Sequence, residues 1–396
     1  MRADLRGAAA ALTFAAAAAS VAYTAFAIAR VAAFGVRLAR VRRRGRRLDR
    51  FGASSRRPSI TVLKPVRGIE PALEQNLRSF CDQRYPSFDV VLGVLDPADA
   101  ALPLLRRVAA EFPDRTTVVA ADGVARCRNP KIATLLPLIE HAKGELLVVS
   151  DSDMRVTPDY LDAIADAFDD PRAGAATALY RGEPVDAGVA SALGAMWITE
   201  QFAPSVLVAN ALEPLRYCFG STMAVRSTVL EAIGGLRALG DHLADDHRLG
   251  RLVTERGWVV RLVPYVVANT VREPHLRALF AHERRWARTI RTTRPASYTG
   301  ILLTYPLALA LAHFALARDK RRARAVFTAA FGLRMVLHTL AQAVFATPRR
   351  RLDWLVLPRD VFGVAVWAAG LFGGGVRWRG DELRVGADGR LAATED

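Results

Sequence analysis

A doubly wound α/β domain with a mostly parallel sheet, flanked at both ends by membrane-length apolar segments, is what this sequence predicts. Three observations predict it. Residues 8–29 form an uncharged stretch of 22 residues, and short apolar runs alternate with helical patterns from residue 58 to about residue 270. After Arg294 long apolar stretches return. An uncharged segment of that length at 1.5 Å rise per residue covers a hydrocarbon core of about 30 Å.

The bulk numbers agree with a chain that sits partly in lipid. Among 396 residues, 52% are hydrophobic although 24% are charged, and the mean hydropathy is positive. The net charge of +16 suits nucleic acid or an anionic membrane surface, so the location of the charge decides. Between Arg30 and Arg57 stand eleven arginines against one acid, Asp49, directly after the apolar segment. That position favours anionic lipid headgroups. Nucleic acid is excluded as a partner, because the dense part of the run, Arg37 to Arg50, has no interleaved aromatic residues to stack bases. Three cysteines, Cys81, Cys127 and Cys218, give neither a disulfide framework nor a Cys-x-x-Cys site. His242 and His247 are five apart, with no Cys partners and no His-Glu-x-x-His pattern.

The first apolar stretch reads as a signal anchor, since the heavy positive charge follows it instead of preceding it. Positive-inside bias then leaves the chain beyond Arg37 in the cytosol. Runs at 60–63, 90–94, 117–120 and 146–149 have the length and composition of buried strands. Between them, 72–82, 102–112 and 132–142 carry helix-period apolar positions, giving β-α-β-α-β-α-β. Further on, 296–317 is uncharged, 325–347 is interrupted only by Arg334, and 361–376 is uncharged. These predict C-terminal transmembrane segments whose topology stays open, because the loops at 318–324 and 349–351 are both basic. The implied division is an anchor at 1–36, a basic juxtamembrane linker at 37–57, a cytosolic domain at 58–294, membrane segments at 295–376 and a tail at 377–396.

The strongest chemical signal is Val148-Val149-Ser150-Asp151-Ser152-Asp153, an apolar strand running into Asp-x-Asp. Open α/β sheets bind ligands at the carboxyl ends of their strands. Asp151 and Asp153 there can hold a hard divalent cation, Mg or Mn, and leave coordination positions for a diphosphate. The competing reading is two solvated loop aspartates or a helix cap. Asp96 ends a second strand, where it can meet the base or ribose of a nucleotide or simply close a turn. Lys131, in Asn129-Pro130-Lys131, opens a helix where it can meet phosphate or stand exposed. Asp246, in Ala244-Asp245-Asp246-His247, is either a helix cap or a general base that deprotonates an acceptor hydroxyl. Arg285 and Trp286 offer a diphosphate contact and a flat apolar face, or else an interfacial anchor.

Taken in order, these motifs resemble the GT-A glycosyltransferases, and within them the ceramide glucosyltransferase group, family 21. Leu63-Lys64-Pro65-Val66-Arg67-Gly68 is similar to that group's first-strand motif. Asn129-Pro130-Lys131-Ile132 is similar to its Asn-Pro-Lys segment, and Asp151-Ser152-x-x-Arg155-Val156 to its metal-aspartate region. Asp246 falls on its base aspartate, and His282-x-x-Arg285-Trp286 is similar to its (Gln/Arg)-x-x-Arg-Trp signature with His282 replacing the first residue. The segments Trp286 to Arg291 and Arg294 to Tyr298 resemble the bacterial hopanoid-associated branch.

The resemblance implies a nucleotide-sugar-binding domain, a UDP-sugar donor, a divalent metal on Asp151 and Asp153, and a membrane-lipid acceptor. It implies that Lys64, Asp96, Lys131, Asp151, Arg285 and Trp286 bind the donor and that Asp246 is catalytic. The acceptor implied is a hopanoid polyol such as bacteriohopanetetrol, with ceramide as the alternative. The implied place is a bacterial inner membrane, multi-pass, with the catalytic domain cytosolic. Two other readings compete: a processive polysaccharide synthase, disfavoured by His282 and the few C-terminal segments, and a non-catalytic nucleotide-sensing membrane module.

Overall fold

The computed structural model describes residues 2–51, 57–347, 353–372, 375–378, 381–385 and 389–392. Residues 52–56 of the basic linker, the basic loop at 349–351 and parts of the tail therefore lie outside the described residues. The chain forms two compact units that interleave along the sequence. One comprises Arg37–Arg181, Glu213–Val271 and Arg384–Asp396, and the other Met1–Val36, Gly182–Leu212 and Arg272–Leu383. Residues 182–212 and 272–294, expected inside a continuous 58–294 domain, group with the second unit.

The first unit is built on eight strands: β1 (Ile60–Val66), β2 (Phe88–Val94), β3 (Thr116–Ala120), β4 (Leu146–Val149), β5 (Met154–Arg155), β6 (Ala173–Pro184), β7 (Met223–Arg226) and β8 (Val259–Val271). Their order in the sheet is β3-β2-β1-β4-β7-β6-β8-β5. The four expected strands lie side by side, with β1 parallel to β2 and β4, and β2 parallel to β3. Helices Leu73–Cys81, Leu102–Glu111 and Pro130–Ile139 connect them. The expectation of a mostly parallel sheet is corrected beyond β4: β7 is antiparallel to β4 and β6, and β5 to β8. The physical reason is that an apolar run reports burial on both faces and not direction, so a central antiparallel strand reads like a parallel one. At the edge, β3 is only partly buried.

Period-2 alternation sends side chains to two cores, one on each face of this sheet. From β1, Ile60 and Val62 join Leu77, Phe80 and Leu105 in one core, while Leu63 joins Ile132, Leu135 and Leu249 in the other. Helix Asp245–Glu255 packs on the second core through Leu249 and Val253. Gly250 lets it approach closely, since a Cβ there would stand 2.3 Å from the Cα of Tyr217.

The second unit is helical. Helix Arg2–Phe51 contains Gly7–Val41, long and apolar enough to cross a membrane, and it runs unbroken into the basic segment. Of the expected C-terminal segments, Lys320–Val344 is a continuous helix of 25 residues whose apolar run is interrupted by Arg334, and Pro295–Thr304 plus Pro306–Leu316 is apolar enough for a crossing only as a pair bent by 73° at Tyr305, a broken span or a re-entrant loop. The backbone groups freed at the bend find partners. Ser20 Oγ donates to Leu303 O at 2.6 Å, and Leu307 N–H donates to Asp360 Oδ2 at 3.2 Å. Asp360 accepts from Arg334 at 3.1 Å, Arg334 also pairs with Glu200 at 2.9 Å, and Arg359 grips Glu283 with two bonds of 2.7 Å. Fully enclosed charges persist only with such partners.

Gly250→Ala should destabilise the protein by about 1–3 kcal/mol, because the new methyl meets backbone that cannot turn aside. Thermal unfolding of the detergent-solubilised protein measures it, and an unchanged midpoint would show that the helix is not seated this way.

Candidate active site

Strand β4 delivers Ser150-Asp151-Ser152-Asp153 at its carboxyl end, and the turn is fastened from several elements. Lys64 on β1 is fully enclosed, 3.8 Å from the centroid of the Phe80 ring. Its ammonium donates to Asp151 O and to Ser150 Oγ. Burial lowers the Lys64 pKa to about 7. The lysine expected to bind donor is thus placed as an internal prop for the turn, holding the chain's own atoms. Asn76 Nδ2 donates to Ser152 O at 3.2 Å, and Ser152 Oγ donates to Glu70 Oε2 at 2.6 Å. From β8, Thr270 N–H donates to Asp153 O at 2.8 Å, and Asn269 Nδ2 donates to Asp153 Oδ2 at 2.8 Å.

Lys131 opens helix Pro130–Ile139, whose start is set by Asn129: its Oδ1 accepts from the backbone N–H groups of Lys131 and Ile132. This is ordinary N-capping. The Lys131 ammonium stands 2.8 Å from Asp151 Oδ1 and 3.2 Å from Asp245 Oδ2, tying β4's turn to the start of helix Asp245–Glu255. Burial works against its charge, but Asp151 and Asp245 outweigh it and hold the ammonium above the ordinary lysine range.

Gly220, just before β7, completes the junction. Its N–H donates to Asp246 Oδ2 at 3.1 Å, and its carbonyl accepts from Asp151 N–H at 3.2 Å. A Cβ at Gly220 would lie 2.5 Å from Asp151 Oδ2. Only a residue without a side chain lets the two acidic segments approach so closely. Burial and the neighbouring Asp245 push Asp246 above the usual carboxylate range.

A divalent cation fits here on the chemistry of Asp153. Its Oδ1 is buried without a hydrogen-bond partner, and burial, Asp151 and Glu70 hold its carboxyl above the usual range. An orphaned carboxylate oxygen is the donor a hard cation takes. Among the described residues no group of three or more His, Cys, Asp or Glu forms a ready metal cage. The chain would therefore supply Asp153 and Asp151, leaving the other positions to diphosphate and water.

The remaining expected residues are Asp96, Arg285 and Trp286. Asp96 occupies an exposed turn after β2, where its Oδ1 accepts from Ala98 N–H at 2.8 Å. Arg285 and Trp286 stand on helix Leu276–Thr293 of the other unit. There Trp286 stacks on Trp197 at 5.0 Å and lies 4.2 Å from the His282 ring, whose Nδ1 is 2.6 Å from Glu273 Oε1. Asp245, Asn269, Asn76 and Gly220 went unassigned in the sequence. Asp245 had a signal, adjacency to Asp246; the others act through contacts that no local pattern announces. A cavity of about 310 Å³ lined by Val41, Ala163, Asp166, Asp170, Arg261 and Leu262 includes none of these residues.

The family model for glycosyl transferase family 21 matches residues 12–391. The chain belongs to this family. Ceramide glucosyltransferase 1 of Caenorhabditis elegans is 25% identical to this family-21 chain over 201 residues, 50% of this chain and 43% of that protein. Ceramide glucosyltransferase 3 of the same organism is 22% identical over 253 residues, 63% and 53% respectively. The family-21 chain thus spans about half the length of the curated relatives it matches. Among solved structures, the mannosyltransferase PcManGT from Pyrobaculum calidifontis, in complex with GDP-Man and Mn2+, aligns over 90% of this chain and 99% of its own, with 19% identity and a TM-score of 0.49.

Lys131→Met should leave Asp151 and Asp245 facing each other without their shared cation. The expected cost is about 3 kcal/mol of stability. Calorimetric unfolding reads it, and a wild-type midpoint would contradict the bridge.

Proposed function

We propose that this family-21 chain is an inverting, UDP-sugar-dependent hexosyltransferase that glycosylates a hydroxyl of a membrane lipid. The observation that carries the reading is the meeting of Asp151, Asp245 and Asp246 around Lys131 and Gly220, beside the orphaned oxygen of Asp153. Asp246 accepts the proton of the acceptor hydroxyl. As that proton leaves, the oxygen attacks the anomeric carbon, the bond from that carbon to the diphosphate breaks, and UDP departs with the electron pair. A divalent cation on Asp153 and Asp151, when bound, neutralises charge on the departing diphosphate. Lys131 orients Asp151, and Lys64 fixes the backbone that carries it. The Gly220 N–H holds Asp246 in place by one oxygen.

A bilayer-dissolved acceptor is supported by the apolar helix Gly7–Val41 and by relatives named as ceramide glucosyltransferases. We place the enzyme at a bacterial inner membrane with the Asp246 unit in the cytosol, following the arginines after the anchor. For the acceptor, the segments Trp286 to Arg291 and Arg294 to Tyr298 favour a hopanoid polyol, with N-acetylglucosamine or glucose as the sugar. The relatives' printed activity favours the second reading, ceramide glucosylation.

Asp246→Asn should lower kcat by about 10²–10⁴-fold, the range of a lost general base, with UDP affinity retained. Near-normal turnover would remove Asp246 from this role. Purified protein given bacteriohopanetetrol or ceramide with radiolabelled UDP-sugars identifies the acceptor; labelling of neither, or of a growing polymer, would overturn the lipid reading. Because Asp246 must be ionised, kcat/KM should rise with pH, and the acid limb should lie above the ordinary carboxylate range because burial raises this group. Chelation should abolish transfer, and Asp153→Asn should raise the Mn concentration that restores it. Full activity in a chelator would remove the metal from the scheme.

A further inference from the structure

No motif gave the tail at 377–396 a role, yet its last described residues are stitched to the segment that leads into Asp245 and Asp246. Leu391 N–H donates to Asp241 O at 2.8 Å, and Leu243 N–H donates to Gly389 O at 3.1 Å. Arg390 and His242 form an antiparallel bridge between these bonds. Arg128 Nη1 donates to Leu391 O at 2.7 Å, and the Leu391 side chain is buried.

The opposite edge of the same segment belongs to Asn129. Its N–H donates to Gly240 O at 2.7 Å, and its Nδ2 donates to His242 O at 2.8 Å. The carbonyls of residues 240 and 242 go to Asn129, and that of residue 241 goes to the tail. Asn129 also caps the helix that starts with Lys131. The segment at 240–243 is thus held between the start of the Lys131 helix and the tail, directly before the two aspartates.

We propose that residues 389–392 are a positioning strap that keeps Asp245 and Asp246 in register with Lys131 and Gly220. The strap makes no contact with reacting atoms; it acts through the loop it holds. This rests on Asp246 being the base. A catalytic group displaced by about 1 Å costs on the order of 10²-fold in rate, so a released loop should act on turnover more than on donor affinity.

The test compares the full chain with one ending at Asp388 and one ending at Ala392, all in detergent. The Asp388-ended protein should lose roughly ten- to a hundredfold in kcat with little change in donor KM. Its backbone amides at 240–246 should exchange faster, and a peptide of residues 386–396 added in trans should restore part of the rate. The Ala392-ended protein should match the full chain. Equal kcat in the Asp388-ended and full chains would overturn the strap. So would a rate loss that peptide does not rescue and that tracks a fall in unfolding temperature, which would mark a merely structural tail. If the full chain itself transfers no sugar, the hexosyltransferase reading fails, while exchange at 240–246 still decides whether the strap holds the loop.

Discussion

Asp151 and Asp245 can stand close together only because the Lys131 ammonium lies between them. Like charges brought out of water repel and lose hydration. One lysine at a capped helix start removes that obstacle and fixes two loops at once. Much else in this unit serves that placement. Asn129 sets where the lysine starts its helix, Gly220 permits the acidic loops to approach, and Gly250 lets the helix after Asp246 lie against the backbone of Tyr217.

The half of the sheet built from β1 to β4 was readable because each strand is a short apolar run followed by a helix of matching period. In the antiparallel half only the start of β8, an apolar run at 259–263 after a helix that ends near Gly257, was legible, since β5 has only two residues and β6 and β7 are joined by a long excursion through the other unit. At the site, Asp151, Asp153, Lys131 and Asp246 were legible as charged residues at strand ends and helix starts. Lys64 was legible as a motif member, but its direction was not. On β1 it shares a face with Ile60 and Val62, so alternation carries it into the core against Phe80, where it holds backbone. Gly220 and Asn269 contribute a bare N–H and an amide at points defined only by tertiary pairing, and such contributions leave no trace in local sequence.

The helical unit follows a different rule, because its largest buried polar groups are arginines paired with buried carboxylates. Arg334 and Arg359 are wholly enclosed, each on acidic partners. The arginine that interrupts the apolar stretch at 325–347 is thus an internal tie between Glu200 and Asp360. On the same helix Ala330 packs with Leu307 of helix Pro306–Leu316, while Phe331 and Val336 face outward.

At the bend after Leu303, a hydroxyl from the first helix closes one end of the broken backbone and a carboxylate from the last closes the other. Ser20 can reach that carbonyl from only one rotational and axial setting of its helix. The N-terminal segment is therefore keyed, and an unrelated apolar helix of equal length grafted in its place would match its hydropathy yet leave the Leu303 carbonyl without that hydroxyl. Insertion of a single residue ahead of position 20 would swing the hydroxyl by about a hundred degrees around the axis, turning a helix of correct length into one that no longer fits its own bundle.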